Sequence, residues 1–368
     1  MKELLFAAVD VDDNAFHIAV VDEKSNLIST LKSSPNASSL TKVLQKNTSK
    51  DAKIRICYES TYLGYSLQRS LAKKKISCDV IAPTSIPKSP NQKVKTDRTD
   101  AVHLARCFQK GLLATVDVPT ETEEADRDLI RERQFLVKSA SSLKRLILNK
   151  CRRLNWNYKQ VEKKKEYWTP HHRKWLDEKV KKAPTSAALS LRILLMQLKS
   201  IQDGVAQFDA EISSLAKTPV YKEKVNTLRA FKGIEVHTAL ALITEIRDIR
   251  RFKHPKNLVS YCGLDILEYS SGGKEHRYKI TKMGNKHIRK LLVESSQFSW
   301  TKPTASKKLK ARRQDSPRVA EEIADRCLKR LYGKGHRLLI HRKPRNKVKV
   351  ACAREMIGFI WEALQKVA

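Results

Sequence analysis

Near its start the chain runs Leu4-Leu5-Phe6-Ala7-Ala8-Val9, a continuous apolar stretch that closes on a single acid, Asp10, before Val11. Consecutive apolar side chains project to both sides of a strand, so such a run belongs in a strand covered on both faces. A chain that opens this way needs a sheet with a layer on each side, and Asp10 lies inside that sheet or at its rim. Phe16 to Val21 reads as a second strand after the polar turn Asp12-Asp13-Asn14, and residues 27–31 as a third after Glu23-Lys24-Ser25-Asn26. The opening is therefore a three-stranded antiparallel meander. A short helix over 38–45 follows, then a strand from 53 that ends on Glu59, a helix over 62–73, and a strand over 78–82 before a loop punctuated by Pro83, Pro87 and Pro90.

Three hairpin-linked strands followed by strand–helix alternation is the order of the ribonuclease H type of α/β fold. Strands one and four are neighbours in that order, which brings Asp10 and Glu59 together. Asp97 and Asp100 open a helix running to about Phe108; three residues apart, they share a face with roughly 5–6 Å between their Cβ atoms. Carboxylates so placed reach a pair of Mg²⁺ ions about 3.5–4 Å apart, the arrangement used for phosphodiester chemistry. Each acid has a plainer explanation alone: helix-start acids favoured by the dipole, and a surface strand end. The four together, in a chain with 74 Lys and Arg against 39 Asp and Glu and a net charge of +35, point instead to a polyanionic partner and a divalent metal beside phosphate.

At 368 residues the chain has room for two or three domains. Its seven cysteines are scattered, odd in number and without a Cys-x-x-Cys pair, so neither a zinc site nor a disulfide framework is expected, and a reducing cytosol is. No secretory signal opens the sequence and no apolar stretch reaches about 18 residues, so no membrane partner is expected. Residues 121–155 carry apolar side chains at helical spacing with no Pro or Gly, and residues 187–215 repeat the spacing with Leu189, Ile193, Leu194 and Leu198 among them. Two long helices around a basic, aromatic segment read as an antiparallel coiled-coil arm that spaces the ends of the chain and mediates dimerisation. Tyr158, Tyr167, Trp168 and Trp175 in that segment fit stacking on unpaired bases, and fit equally well a plug at the tip of the hairpin. Lys232-Gly233-Ile234-Glu235-Val236 has the outline of a phosphate-cradling helix-hairpin-helix turn, but Glu235 stands where a second glycine belongs, so the turn is taken as structural. His237 and His254 are given no catalytic role.

Ala8-Val9-Asp10-Val11, Tyr58-Glu59-Ser60-Thr61 and Lys95-Thr96-Asp97-Arg98-Thr99-Asp100-Ala101 resemble the signature blocks of the DEDD transposases of bacterial insertion sequences, the RNA-bridged recombinases. A second stretch, Gly263-Leu264, Ser270-Ser271-Gly272-Gly273, Lys279 to Asn285 and Ile288 to Leu292, resembles the carboxy-terminal domain of that family, and the likeness continues to Trp361. The resemblance implies a Holliday-junction-resolvase-like first domain and a Mg²⁺ site on Asp10, Glu59, Asp97 and Asp100. It also implies a serine before the glycine pair that forms a covalent link to DNA, sites shared within a dimer or tetramer, and a noncoding RNA that pairs with donor and target DNA in the bacterial cytoplasm, at the nucleoid.

Without the resemblance, Ser270-Ser271-Gly272-Gly273 reads as a hairpin turn. With it, Ser271 is the nucleophile in preference to Ser270, and Lys274, His276, Arg277, Lys279 and Lys282 are donors suited to a scissile phosphate. Lys286, Arg289 and Lys290 would contact backbone phosphates from the next helix. The last 68 residues hold 19 Lys and Arg against six Asp and Glu; residues 302–313 and 333–349 read as basic loops that fold on nucleic acid, and residues 350–364 as a closing helix. The expected organisation is a ribonuclease H-like DEDD domain over 1–118, a helical coiled-coil arm over 119–222 and a mostly α carboxy-terminal domain over 223–368. Two further functions fit the composition: a structure-selective nuclease in which water attacks, and a noncatalytic nucleic-acid-binding protein.

Overall fold

The structure, a computed structural model, describes residues 3–49, 51–87, 96–162, 166–272, 274–300 and 302–367. Pro90, Lys95 and Gly273, singled out in the sequence, lie outside the described residues. The chain forms two compact units, Met1–Glu121 and Thr122–Ala368.

In the first unit the elements are β1 (Leu4–Asp10), β2 (Phe16–Val21), β3 (Leu27–Ser33), α1 (Ala37–Asn47), β4 (Lys53–Glu59), α2 (Ser66–Lys73), β5 (Cys78–Ile81) and α3 (Asp97–Gln109). The strands make a sheet in the order β3-β2-β1-β4-β5, antiparallel between β1, β2 and β3 and parallel from β1 to β4 to β5. The apolar run divides by alternation as expected. Leu5, Ala7 and Val9 pack with Ile18, Val20, Ile56 and Tyr58 beneath Leu40 and Leu44 of α1 and Leu67 and Leu71 of α2. Phe6 and Ala8 pack with Ala19, Val21, Cys57 and Ile81 beneath Ala101, Leu104, Ala105 and Phe108 of α3. Each large aliphatic side chain fully buried here stabilises the fold by about 1.5–3 kcal/mol. The helix expected over 62–73 starts only at Ser66: the Tyr58 hydroxyl donates to the Gly64 carbonyl at 3.0 Å and holds the preceding residues in a turn.

The second unit opens with α4 (Glu121–Arg153), followed by α5 (Tyr158–Val161), α6 (Pro170–Lys181) and α7 (Thr185–Leu215). Arg133 meets Asp209 and Lys150 meets Ser190, so α4 and α7 run antiparallel, with Ala140, Ile147, Leu191 and Leu198 buried between them. At the tip, Tyr158, His172 and Trp175 are buried in one aromatic cluster, His172 and Tyr158 meeting edge-on at 4.5 Å. Base stacking by Tyr158 and Trp175 is therefore corrected: both rings are core. The Trp168 amide donates to His172 Nδ1 at 3.0 Å and locks that ring in the cluster.

The remainder comprises α8 (Lys222–Arg229), α9 (Val236–Ile246), α10 (Pro255–Tyr261), β6 (Ile266–Ser271), β7 (Lys274–Ile280), α11 (Lys286–Ser296), α12 (Lys307–Arg312), α13 (Arg318–Ile340) and α14 (Arg345–Gln365). Its core runs from Leu228 and Leu240 through Leu258 and Leu292 to Leu331, Cys352 and Ile360. The two basic stretches are mostly helical rather than loops. Residues 307–312 and 333–340 are helical, and α14 begins at Arg345, because Leu309, Leu331 and Val348 each bury against the core. Gly335 sits inside α13 where Trp300 crosses; a Cβ there would lie 2.6 Å from Trp300 Cβ. Part of the basic charge is structural as well. Arg312 donates to the carbonyls of Arg229 and Phe231 at 2.8 and 2.7 Å, and Arg313 to that of Ala230 at 2.9 Å, so the pair caps the carboxyl end of α8. Glu235 accepts from Arg312 at 2.6 Å, which agrees with a structural turn between α8 and α9.

Candidate active site

The acid quartet gathers where the covered sheet ends. Phe6 and Ala8 face α3, so Asp10, next in the same parity, faces that side too. Cys57 fixes Glu59 on β4 in the same way. The β1–β4 ladder runs through Ala8↔Cys57 and Val9↔Tyr58, and its continuation sets Asp10 beside Glu59. Asp97 and Asp100 occupy the first turn of α3, which a capping box starts: the Thr96 hydroxyl accepts from the Thr99 amide at 3.2 Å, and the Thr96 amide donates to the Thr99 hydroxyl at 3.0 Å. Burial pushes the Asp10 carboxyl above its usual range, and the charges of Asp97, Asp100 and Glu59 push it further, against His17. His17, paired with Asp10 across β1 and β2, lies 3.9 Å from the Asp97 carboxylate. It was missed in the sequence, although a polar residue between Phe16 and Ile18 marks the opposite face of β2.

Carboxylates crowded until one resists ionisation are a donor set that a divalent cation relieves, and all-oxygen ligands suit Mg²⁺. Among the described residues no three His, Cys, Asp or Glu side chains stand close enough to hold a metal ion as they are. The Asp97 side chain, 69% exposed, is the looser member.

Ser271 lies in the second unit, at the end of β6. In the β6–β7 ribbon Ser271 opposes Lys274, Ser270 opposes Glu275, Tyr269 opposes His276 and Glu268 opposes Arg277. Opposed residues share a face, so the two serines separate. Ser270 lies with the acids: its hydroxyl donates to Glu268 at 3.0 Å, and Arg277 pairs with Glu268 and Glu275, each at 3.0 Å. Arg277, helped by Ser270, holds the Glu268 carboxyl below its usual range. Ser271 lies on the other face with Lys274, His276 and Tyr269. Opposed Cβ atoms stand about 4.5–5.5 Å apart, which brings the Lys274 ammonium within reach of a phosphate at Ser271.

The remaining cations differ in their engagements. Lys279, Lys282 and Lys286 are exposed, Lys290 lies 3.8 Å from Glu294, and Arg289 donates to the Cys262 carbonyl at 2.8 Å. Between β7 and α11, Gly284 has φ +131°, and a Cβ there would lie 2.4 Å from the Tyr261 carbonyl oxygen. Asn285 accepts from the His287 and Ile288 amides at 2.9 and 3.1 Å to start α11, and donates to Glu245 at 2.6 Å. Glu245 is 5% exposed; Arg131 donates to its two oxygens at 2.7 and 2.9 Å. Burial alone would raise this carboxyl, but Arg131 and Asn285 hold it below its usual range. The Gly284-Asn285 step is thus an anchor for the ribbon's return limb, a role the sequence did not reveal.

Comparison with known families covers both stretches of the chain. Residues 7–153, which include all four acids, match a family described as transposase, and residues 225–310, which include Ser271, match the transposase IS116/IS110/IS902 family. A putative transposase, y4qE, of Sinorhizobium fredii (strain NBRC 101917 / NGR234) is 31% identical over 320 residues, covering 87% of this chain and 77% of that protein. The chain belongs to the IS116/IS110/IS902 transposase family. The transposase for insertion sequence element IS1533 of Leptospira borgpetersenii is 26% identical over 93% of this chain and 99% of its own length. The transposase for insertion sequence element IS1111A of Coxiella burnetii (strain RSA 493 / Nine Mile phase I) is 23% identical over 81% of this chain and 78% of its own. Among the described residues no helix of this transposase is long and apolar enough to cross a membrane.

Proposed function

We propose that this transposase moves its own element by cutting and rejoining DNA through a phosphoserine intermediate, with a ribonuclease H-like first unit that binds Mg²⁺ through Asp10, Glu59, Asp97 and Asp100. Bound by these acids, Mg²⁺ would supply positive charge to a phosphodiester. Ser271 Oγ attacks phosphorus, the bond from phosphorus to one sugar oxygen breaks, and that oxygen leaves as a hydroxyl with a proton. Attack on the phosphoserine by a new sugar hydroxyl restores Ser271 and joins the strands without ATP, because one ester replaces another at each step. Lys274 and Lys282 neutralise the phosphate, with Lys286, Arg289 and Lys290 along the flanking backbone; Arg277, paired with Glu268 and Glu275 on the opposite face of the ribbon, and Lys279, of the same strand parity, are left out of that set.

The observation that carries this reading is the convergence of four carboxylates at one end of a covered sheet, in a transposase-family chain of net charge +35. A noncoding RNA that pairs with donor and target DNA follows from the family resemblance, and the basic surface supports such a partner. The α4–α7 pair is proposed as a coiled-coil arm that joins copies of the chain: Phe135 and Leu146 on α4, and Leu189, Ile193 and Met196 on α7, are exposed apolar residues at helical spacing. The test is strand cleavage by Asp10→Asn and Asp97→Asn in Mg²⁺. Both variants lose cleavage while keeping nucleic-acid affinity; cleavage retained by both would overturn the metal site.

A further inference from the structure

Both strands of the β6–β7 ribbon are exposed, Ile280 alone among their described residues being half-buried. A free two-stranded hairpin is only marginally stable in water, so a ribbon built this way has a surface to offer. Its faces differ in charge. Glu268, Glu275 and Arg277 lie with Ser270, whereas the Ser271 face carries Lys274 and His276 and, among the described residues, no carboxylate. That face also holds two tyrosine rings, Tyr269 and Tyr278, 69% and 61% exposed, meeting edge to face at 5.9 Å. A cross-strand aromatic pair helps to steady a hairpin, yet this one leaves most of both rings in water. Uncovered rings beside a cation, on the acid-free face of a ribbon, are the elements of a platform for nucleic-acid bases.

We propose that the Ser271 face of the ribbon is a stacking platform for an unpaired stretch of DNA, with Tyr269 and Tyr278 taking bases next to the phosphate presented to Ser271. The strand must be unpaired locally because in a duplex the base faces are already covered by their neighbours. Residues two apart in a strand are separated by about 6.8 Å, so a base seated on Tyr269 belongs to a nucleotide at or adjacent to the one facing Ser271. Lys274 balances the charge of the intervening phosphate. The proposal rests on Ser271 acting on DNA, but its test reads binding, which does not depend on the chemistry.

The full-length protein is titrated with a fluorescently labelled single-stranded DNA of mixed sequence and with the corresponding duplex. Tyr269→Ala and Tyr278→Ala each weaken single-strand binding by about tenfold and leave duplex binding unchanged. The Tyr269→Phe, Tyr278→Phe double variant binds both as the wild type does, since stacking needs the ring and not the hydroxyl. Ser271→Ala keeps full single-strand affinity, so loss of adduct and loss of stacking are read separately. An equal loss on single strand and duplex overturns the platform, as does unchanged single-strand affinity in the Tyr269→Ala, Tyr278→Ala double variant. If that double variant instead dissociates into monomers with single-strand binding intact, the face is covered by a second copy and the proposal fails.

Discussion

Asp10 carries the clearest electrostatic conflict in the molecule. The folded protein holds its proton more tightly than the unfolded chain does, because burial and the Asp97, Asp100 and Glu59 charges oppose ionisation. Stability from such a group is fully present below the ordinary carboxylate range and is lost as pH rises through the raised pKa, so at neutral pH ionised Asp10 weakens the fold. In metal-free buffer at neutral pH, Asp10→Asn should melt above the wild type, and added Mg²⁺ should raise the melting temperature of the wild type alone. Calorimetry with and without Mg²⁺ checks this, and an equal Mg²⁺ response in both proteins contradicts it. The nearness of Asp10 and Glu59 was legible in the sequence because three hairpin-linked strands followed by strand–helix alternation make strands one and four neighbours, as β1 and β4 are. His17 was not, since one histidine in a strand signals nothing until the register shows it opposite Asp10. Glu245 was hidden for a similar reason, its partners Arg131 and Asn285 being distant in the chain.

Helices and hairpins fared unevenly for physical reasons. The long helices α4 and α7 were readable from apolar spacing alone, whereas Lys302 to Arg313 and the region around Gly333 and Gly335 looked like loops because charge outweighs apolar side chains there and glycine lowers helix propensity by about 1 kcal/mol. Their folding is decided by tertiary contacts: Leu309 in the core, Trp300 against Gly335, Arg312 and Arg313 on the end of α8. At the tip of the α4–α7 pair, burial pushes the His172 imidazole down from 6.5 to about 4. The neutral ring is favoured in the fold, so the unfolded chain takes up a proton first as pH falls. Stability contributed above 6.5 is therefore lost progressively down to about 4. A variant with His172→Phe should lose that part of the acid sensitivity, giving a flatter plot of melting temperature against pH across this window; a parallel plot would show that His172 is not the group responsible.

The whole molecule carries a formal net charge of +35, and a partner that neutralises it releases counterions. Each phosphate neutralised on duplex DNA contributes about 0.9 to the log–log salt slope, so with several Lys and Arg engaged binding should fall with a slope steeper than about −5. A flat titration between low and physiological salt would remove the electrostatic account. Charge and composition could announce such a partner, but not the chemistry performed on it. Ser270 and Ser271 are neighbours of one residue type, and only the pairing of β6 with β7 sends one hydroxyl to Glu268 and the other to the face of Lys274. That division makes the most direct test a comparison of the two serines. Wild type, Ser270→Ala and Ser271→Ala, each folded and able to bind DNA, are incubated with element DNA and Mg²⁺ and assayed for a denaturant-resistant protein–DNA adduct. The account predicts an adduct with wild type and Ser270→Ala and none with Ser271→Ala; an adduct at wild-type level from Ser271→Ala, or strand cleavage by all three with no adduct in any, would contradict it.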